Sequence, residues 1–195
     1  ARVGRRLRKV AARTRHRLGL PAPKLRGVGI DAAFRHPVRI ALETYTLAEY
    51  RELFPARAAA EVHAAQSLLA HRFDLLGQPV ATGGPLAWSR DPISGRDWPR
   101  EFSPDIRYRG DGSLGDIKFP WELSKHQYFF TLGKSGWLQT APEPAAEIIR
   151  QIDDWIAANP YQRGIHWISA LESGTRAVSW ILAYPFFSER CDAAF

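Results

Sequence analysis

The sequence has no methionine, one cysteine and no long apolar run, and each lack removes a class of explanation. A lone Cys191 excludes an internal disulfide. It leaves the compartment open, because many secreted proteins also carry no disulfide. No base is evident beside Cys191, so a thiol nucleophile is not expected. No segment approaches the roughly 18 apolar residues of a membrane-spanning helix. The missing initiator implies a chain that is processed, trimmed or a fragment. No zinc pattern is present: His63 and His71 stand eight apart with no third ligand nearby. A glycine-rich phosphate loop is also missing. No cofactor and no metal is therefore assigned.

Acidic residues are scarce at one end. Residues 1–40 hold twelve Lys and Arg against Asp31 alone, while the rest of the chain holds 15 basic and 19 acidic residues. The net charge of +7 thus belongs to an N-terminal arm and not to the body. A basic arm suggests nucleic acid first, but the plainer reading is a solvated helix or tail ahead of the fold. The arm lacks the apolar core of a signal peptide. Residues 1–45 read as basic arm and linker, and 46–195 as one domain. With 195 residues, 45% of them hydrophobic, the chain can bury one sizeable core.

The domain reads as mainly α. Thr46 and Glu49 have capping-box spacing and start a helix that Pro55 interrupts. "ARAAAEVHAAQSLLAHRF" predicts a helix from about residue 56 to 72. Residues 73–113 carry Gly and Pro every few positions and predict turns and short extended pieces, with Trp88 and Trp98 packing onto the body. Pro120 suits a first helical turn, and a helix is expected over about 121–139. "EPAAEIIRQIDDWIAAN" predicts the next helix, with Ala146, Ile149, Ile152, Trp155 and Ile156 on one stripe. "WISALESGTRAVSWILAYPFF" predicts another, with Ile168, Leu171, Val178, Ile181 and Leu182 lining a core face. Short loops between helices favour antiparallel neighbours.

Two places carry candidate chemistry. Glu122, Lys125 and His126 stand at i, i+3 and i+4 and share a face of a continuous helix. They fit an exposed ion-pair cluster, or a polar wall over a pocket in which Trp121 offers a flat apolar face. His166 follows Gly164 at a helix entrance, where the positive end of the dipole disfavours protonation. It fits a capping or core histidine, or a neutral hydrogen-bonding group in a site. Glu172 and Arg176, four apart, read as a structural pair.

Four segments in series, "DPISGRDWPR" (91–100), "GDIKFPWELSKHQ" (115–127), "IDDWIAANP" (152–160) and "GIHWISALESGTRAVSW" (164–180), resemble the heparinase II/III-like and oligoalginate-lyase group of polysaccharide lyases. The resemblance spans about residues 46–190. It implies the front part of an incomplete (α/α) toroid of antiparallel helix pairs. It also implies β-elimination at a uronic acid: a base takes the proton beside the carboxylate, whose charge is neutralised as the glycosidic oxygen leaves. In that family the His166 position neutralises the carboxylate, so the resemblance makes His166 catalytic. It puts Trp121, Glu122, Lys125, His126 and Trp167 on the substrate. Lys125 stands where many relatives have Arg, which keeps the charge and loses bidentate binding. The family's base, a Tyr, falls beyond Phe195, as do the second half of the toroid and a β-sandwich, so residues 1–195 alone are expected to be inactive. The implied partner is an acidic polysaccharide or oligosaccharide, and family members are periplasmic or secreted. A glycoside hydrolase on the same fold needs paired carboxylates, for which Glu122 and Glu172 are the candidates. A non-catalytic module binding anionic glycan or nucleic acid through the arm is the other alternative; its salt dependence would vanish on deleting residues 1–40.

Overall fold

The computed structural model describes residues 45–109 and 112–186. The basic arm, nearly all of the linker and Cys191 lie outside the described residues. The described chain is mainly helical, with six α-helices and one two-stranded antiparallel hairpin.

Helix α1 (Leu47–Leu53) begins as its capping box predicts. The Thr46 hydroxyl accepts from the Glu49 amide at 3.2 Å, and the Glu49 carboxylate accepts from the Thr46 amide at 2.7 Å. Pro55 then opens α2 (Pro55–Leu69) at the first helical position, where its missing N–H costs no hydrogen bond. The helix stops short of the expected residue 72. His71 takes a left-handed φ of 51° and Arg72 enters the hairpin β1 (Arg72–Leu75) and β2 (Gln78–Ala81). Leu76 and Gly77 both have positive φ, and they turn the hairpin in two residues. Phe73, Leu75 and Val80 point to the core, while Arg72 and Asp74 face outward.

The rest of the Gly/Pro-rich stretch is turns and short pairings, as predicted. Trp88 and Trp98 are both buried in it. Asp91 ties it to the approach to α3 (Lys118–Ser124): its buried carboxylate accepts from the Ile93 amide at 2.9 Å and from the Asp116 amide at 3.1 Å. Gly115 has φ 82° and lies against this carboxylate, with no room for a Cβ.

The expected single helix over 121–139 is two helices. Helix α3 ends at Ser124, capped by Lys125, and α4 (Phe129–Gln139) starts after a break at His126, whose φ is 56°. The break turns the His126 ring inward, where it stacks on Phe129 with centroids 4.5 Å apart and planes 5° apart. Thr140, at φ 54°, ends α4 and leads into α5 (Glu143–Ala158). Helices α4 and α5 pack on each other, α2 packs on α4, and α6 (Ala170–Ala183) packs on α4 as well. Gly136 permits the α4–α5 turn to close, because a Cβ there would press on the Ala141 carbonyl and the Pro144 ring.

The buried face of α5 keeps part of the expected stripe, with Trp155 buried and Ile149 and Ile152 packed against the core, but it is turned toward Ala145, Ile148 and Gln151. Ala145, Ile148, Gln151 and Trp155 are inside, whereas Ala146 and Ile156 are not: Ile156 is exposed, and Ala146 is absent from the buried face that Ala145 and Ile148 form. Gln151 is tolerated there because its oxygen accepts from the Tyr128 hydroxyl at 2.6 Å and its nitrogen donates to Glu147 at 2.6 Å. Buried Lys134 on α4 is likewise paired, with Glu61 of α2 at 3.0 Å.

Helix α6 is inverted relative to expectation. Its buried face is Glu172, Arg176, Ser179 and Ala183. Leu171 (72% exposed), Val178 (54%) and Ile181 (51%) point away from the described core, and Leu182 is exposed too. Periodicity locates an apolar face, but it does not say which face meets the body. Here the polar face wins because partners await it inside.

Three apolar clusters make the core. One joins Ala65, Phe129, Leu132, Ile148 and Ala183 across the helices. The second joins the hairpin residues Phe73, Leu75 and Val80 to Trp88, Leu123 and Trp155. The third holds Trp98, Ile106, Ile117 and Ile165 beneath Trp121.

Candidate active site

The residues singled out in α3 and around His166 converge, although about forty positions separate them. The seam is made of backbone and ring contacts. Trp121 donates from its indole nitrogen to the Ile165 carbonyl at 3.0 Å. The Ser124 hydroxyl lies 3.4 Å from Nε2 of His166. The Ser124 carbonyl accepts from Nε of Arg176 on α6 at 2.8 Å. Ile165–Trp167 is a short 3-10 turn ahead of α6, entered through Gly164 at φ 76°. It is not the first turn of the long helix that the sequence suggested.

His166 has no exposed surface. Its Nε2 donates to the Trp88 carbonyl at 2.9 Å, which assigns the proton to that nitrogen. Nδ1 is then a bare acceptor with no partner among the described residues. Burial, and next the positive charge of Arg176, lower its pKa to about 3. The expected neutral imidazole is present, but desolvation causes it. A histidine in this place and tautomer has no proton to offer a carboxylate on its Nδ1 side. It reaches a substrate only if the surrounding chain opens.

His126 is also fully buried. Its Nδ1 accepts from the Trp180 indole at 2.9 Å, so the proton sits on Nε2. Burial, then Arg176, hold its pKa well below the usual value. The helix break removes it from the face of Glu122 and Lys125, so the expected three-residue wall is a pair. His126 instead forms the floor with Trp88, Trp155 and Trp180.

Lys125 and Glu122 are half-buried and bonded at 2.6 Å. Lys125 also lies 3.8 Å from an oxygen of Glu172, which is nearly inaccessible. One ammonium therefore bridges two carboxylates on different helices. Trp167 is partly exposed, donates to the Asn159 carbonyl at 3.2 Å and meets Tyr161 edge-on at 5.1 Å. Trp121 is partly exposed beside Tyr108.

The sequence marks Arg176 only as half of a structural pair, yet it is the hub. Its guanidinium lies 3.9 Å above the Trp155 ring. Burial lowers its pKa to about 10, and Glu172 opposes that shift. Its own Nη2 and four groups around it, His126 Nε2, His166 Nδ1, Trp155 Nε1 and Glu172 Oε2, have no hydrogen-bond partner among the described residues. Their crowding in one place departs from the rule that buried polar atoms are paired. The signal that could have found Arg176 was its spacing from Glu172 on a helix whose other face is fully apolar.

The chain matches no protein-family model, and no curated protein or solved structure matches it either.

Proposed function

We propose that this chain is the helical front portion of a polysaccharide lyase that cleaves an acidic, uronate-containing glycan by β-elimination on a partial (α/α) toroid. The observation that supports the reading is the seam between α3 and the Ile165–Trp167 turn, where Trp121 donates to the Ile165 carbonyl and Ser124 meets His166, so that the two segments carrying Trp121, Lys125 and Trp167 lie side by side. The pyranose face stacks on an indole, Trp121 or Trp167. The uronate carboxylate meets Lys125, the half-buried cation of the seam. Developing negative charge is held by fixed donors, which is where the larger part of such catalysis resides. In this reading His166 is a positioning residue. It fixes Trp88 and Ser124, and it does not touch the sugar.

A second reading, hydrolysis by paired carboxylates, is favoured by the meeting of Glu122 and Glu172 on one ammonium. It is weaker, because Lys125 fills the place between them that the glycosidic oxygen would need.

The test is a titration with alginate and heparan oligosaccharides against neutral oligosaccharides of equal length. Preferential binding of the acidic set, lost in Lys125→Met, is the expected result. Equal binding of both sets overturns the reading. In a full-length enzyme that carries the base, elimination is followed by the absorbance of the new C4–C5 double bond, and His166→Ala lowers it by about 10²-fold, the scale of a slight misplacement of the site. His166→Asn, which retains a side-chain donor, recovers part of the loss.

A further inference from the structure

A cleft of about 230 Å³ opens beside the seam and is lined by Ser89, Arg100, Arg163, Gly164, the last residues of α5, Ala157 and Ala158, and Asn159 and Pro160 just after it. It is smaller than the roughly 300–1,000 Å³ of a drug-sized pocket, so it suits one ionic group or one sugar unit rather than a long chain.

Its charge is one-sided. Arg100 and Arg163 are exposed, and no acidic side chain lines the cleft. Neither guanidinium makes a salt bridge or a side-chain hydrogen bond among the described residues. Arg100 acts electrostatically on Asp97, but both oxygens of Asp97 are already taken by Arg90, at 3.0 and 2.9 Å. The two arginines come from segments far apart in sequence, held together by the isolated pairing of Phe102 with Arg163 and by the Gly164 amide donating to the Glu101 carbonyl at 2.9 Å. The wall is rigid at its base: the Ser103 hydroxyl donates to the Gly164 carbonyl at 2.6 Å, and Asn159 caps α5 by donating to the Trp155 carbonyl at 2.8 Å. Ser89, nearly buried, adds a hydroxyl, and its neighbour Trp88 holds His166.

We infer that this cleft is a carboxylate-binding subsite in which Arg100 and Arg163 grip the uronate of a sugar unit neighbouring the one at Lys125. The inference rests on the lyase reading for the identity of the sugar. Two unpaired guanidinium forks present planar donor sets that match a carboxylate, which a single ammonium cannot do. Ala157, Ala158 and Pro160 give the ring an apolar wall. The competing account is that the arginines merely offset the negative end of the α5 dipole. That account predicts a stability contribution and no ligand.

The experiment follows the side-chain Nε–H signals of arginine by NMR in the full chain while glucuronate, glucose or sodium sulfate is added. Arg100 and Arg163 signals shift saturably with glucuronate and not with glucose, while Arg90 stays fixed. Arg100→Gln and Arg163→Gln each weaken glucuronate binding about tenfold, as expected for loss of a charged hydrogen-bond donor. Both residues are exposed, and the variants retain the parent unfolding midpoint to within a small shift. Sulfate competing with glucuronate shows an oxyanion site of the stated chemistry. Uniform shifts of all arginines with every salt, or no shift with glucuronate, overturn the inference. The two readings fail separately. Glucuronate binding in the cleft by a chain that holds acidic and neutral oligosaccharides equally well sinks only the lyase reading. Preferential binding of acidic oligosaccharides that is unchanged in Arg100→Gln and Arg163→Gln sinks only the subsite.

Discussion

Trp180 donates its indole hydrogen to Nδ1 of His126 at 2.9 Å across 54 residues of sequence. This contact fixes the tautomer of His126 and holds the ring flat against Phe129. It joins α6 to the break between α3 and α4. The left-handed backbone at His126 is thus sustained by its side chain, since such a conformation is unusual for a residue other than glycine.

Replacing His126 by Gly separates the two effects. Glycine adopts φ 56° freely and would stabilise the chain if backbone strain dominated. The side-chain contacts dominate, so His126→Gly is expected to destabilise by about 2–4 kcal/mol, the scale of a core truncation. Urea unfolding reads this as a lower midpoint with unchanged slope. A midpoint at or above the parent value contradicts the assignment.

The two buried histidines make stability depend on pH. The ordinary value is 6.5, whereas His166 titrates at about 3 in the fold and His126 is also held low. The unfolded chain therefore binds protons that the folded chain refuses. Their contribution is fully present above about pH 6.5 and is lost as pH falls toward 3, by up to about 1.4 kcal/mol per unit for each histidine. Burial works against Glu147, but hydrogen bonds from Arg150, Gln151 and His71 hold its pKa at about 2, below the ordinary 4.5. Its loss begins only below about pH 4.5, so the interval between 6.5 and 4.5 isolates the histidines. Urea midpoints should fall steadily through it. A flat profile there would mean solvated imidazoles.

Helix α6 offers a contrast within one element. Arg176→Ala removes the hydrogen bond to Ser124 and the cation over Trp155, and it leaves Glu172 buried without that charge. A loss of about 3–5 kcal/mol is expected. Leu171→Ala, five residues earlier and 72% exposed, should change stability by no more than about 0.5 kcal/mol. Thermal unfolding of both variants checks the inverted orientation. Comparable losses would place the apolar face inside.

Gly115→Ala meets two penalties at once. The added methyl overlaps the Asp91 carboxylate, and the backbone stands at φ 82°. A cost of about 1–3 kcal/mol is expected from the strained backbone alone. Hydrogen exchange should show the Ile93 and Asp116 amides losing protection, because both donate to Asp91.

Local chemistry was enough to determine the capping box at Thr46, the proline start of α2 and the extent of α5, because each depends on residues within one or two turns of each other. The burial of Trp88 and Trp98 was likewise readable, since a large indole in a Gly/Pro-rich stretch has little else to pack with. Tertiary structure alone decided the break at His126, the rotation of α5 onto Gln151 and the inversion of α6. In each case a buried polar group found a distant partner: Trp180 for His126, Tyr128 for Gln151, Ser124 and Trp155 for Arg176. A periodic pattern ranks faces by their transfer free energy from water, whereas a polar side chain with its hydrogen bonds made inside no longer carries the desolvation cost that the pattern assumes. That difference is set by groups more than twenty residues away, and only the folded chain brings them within 4 Å.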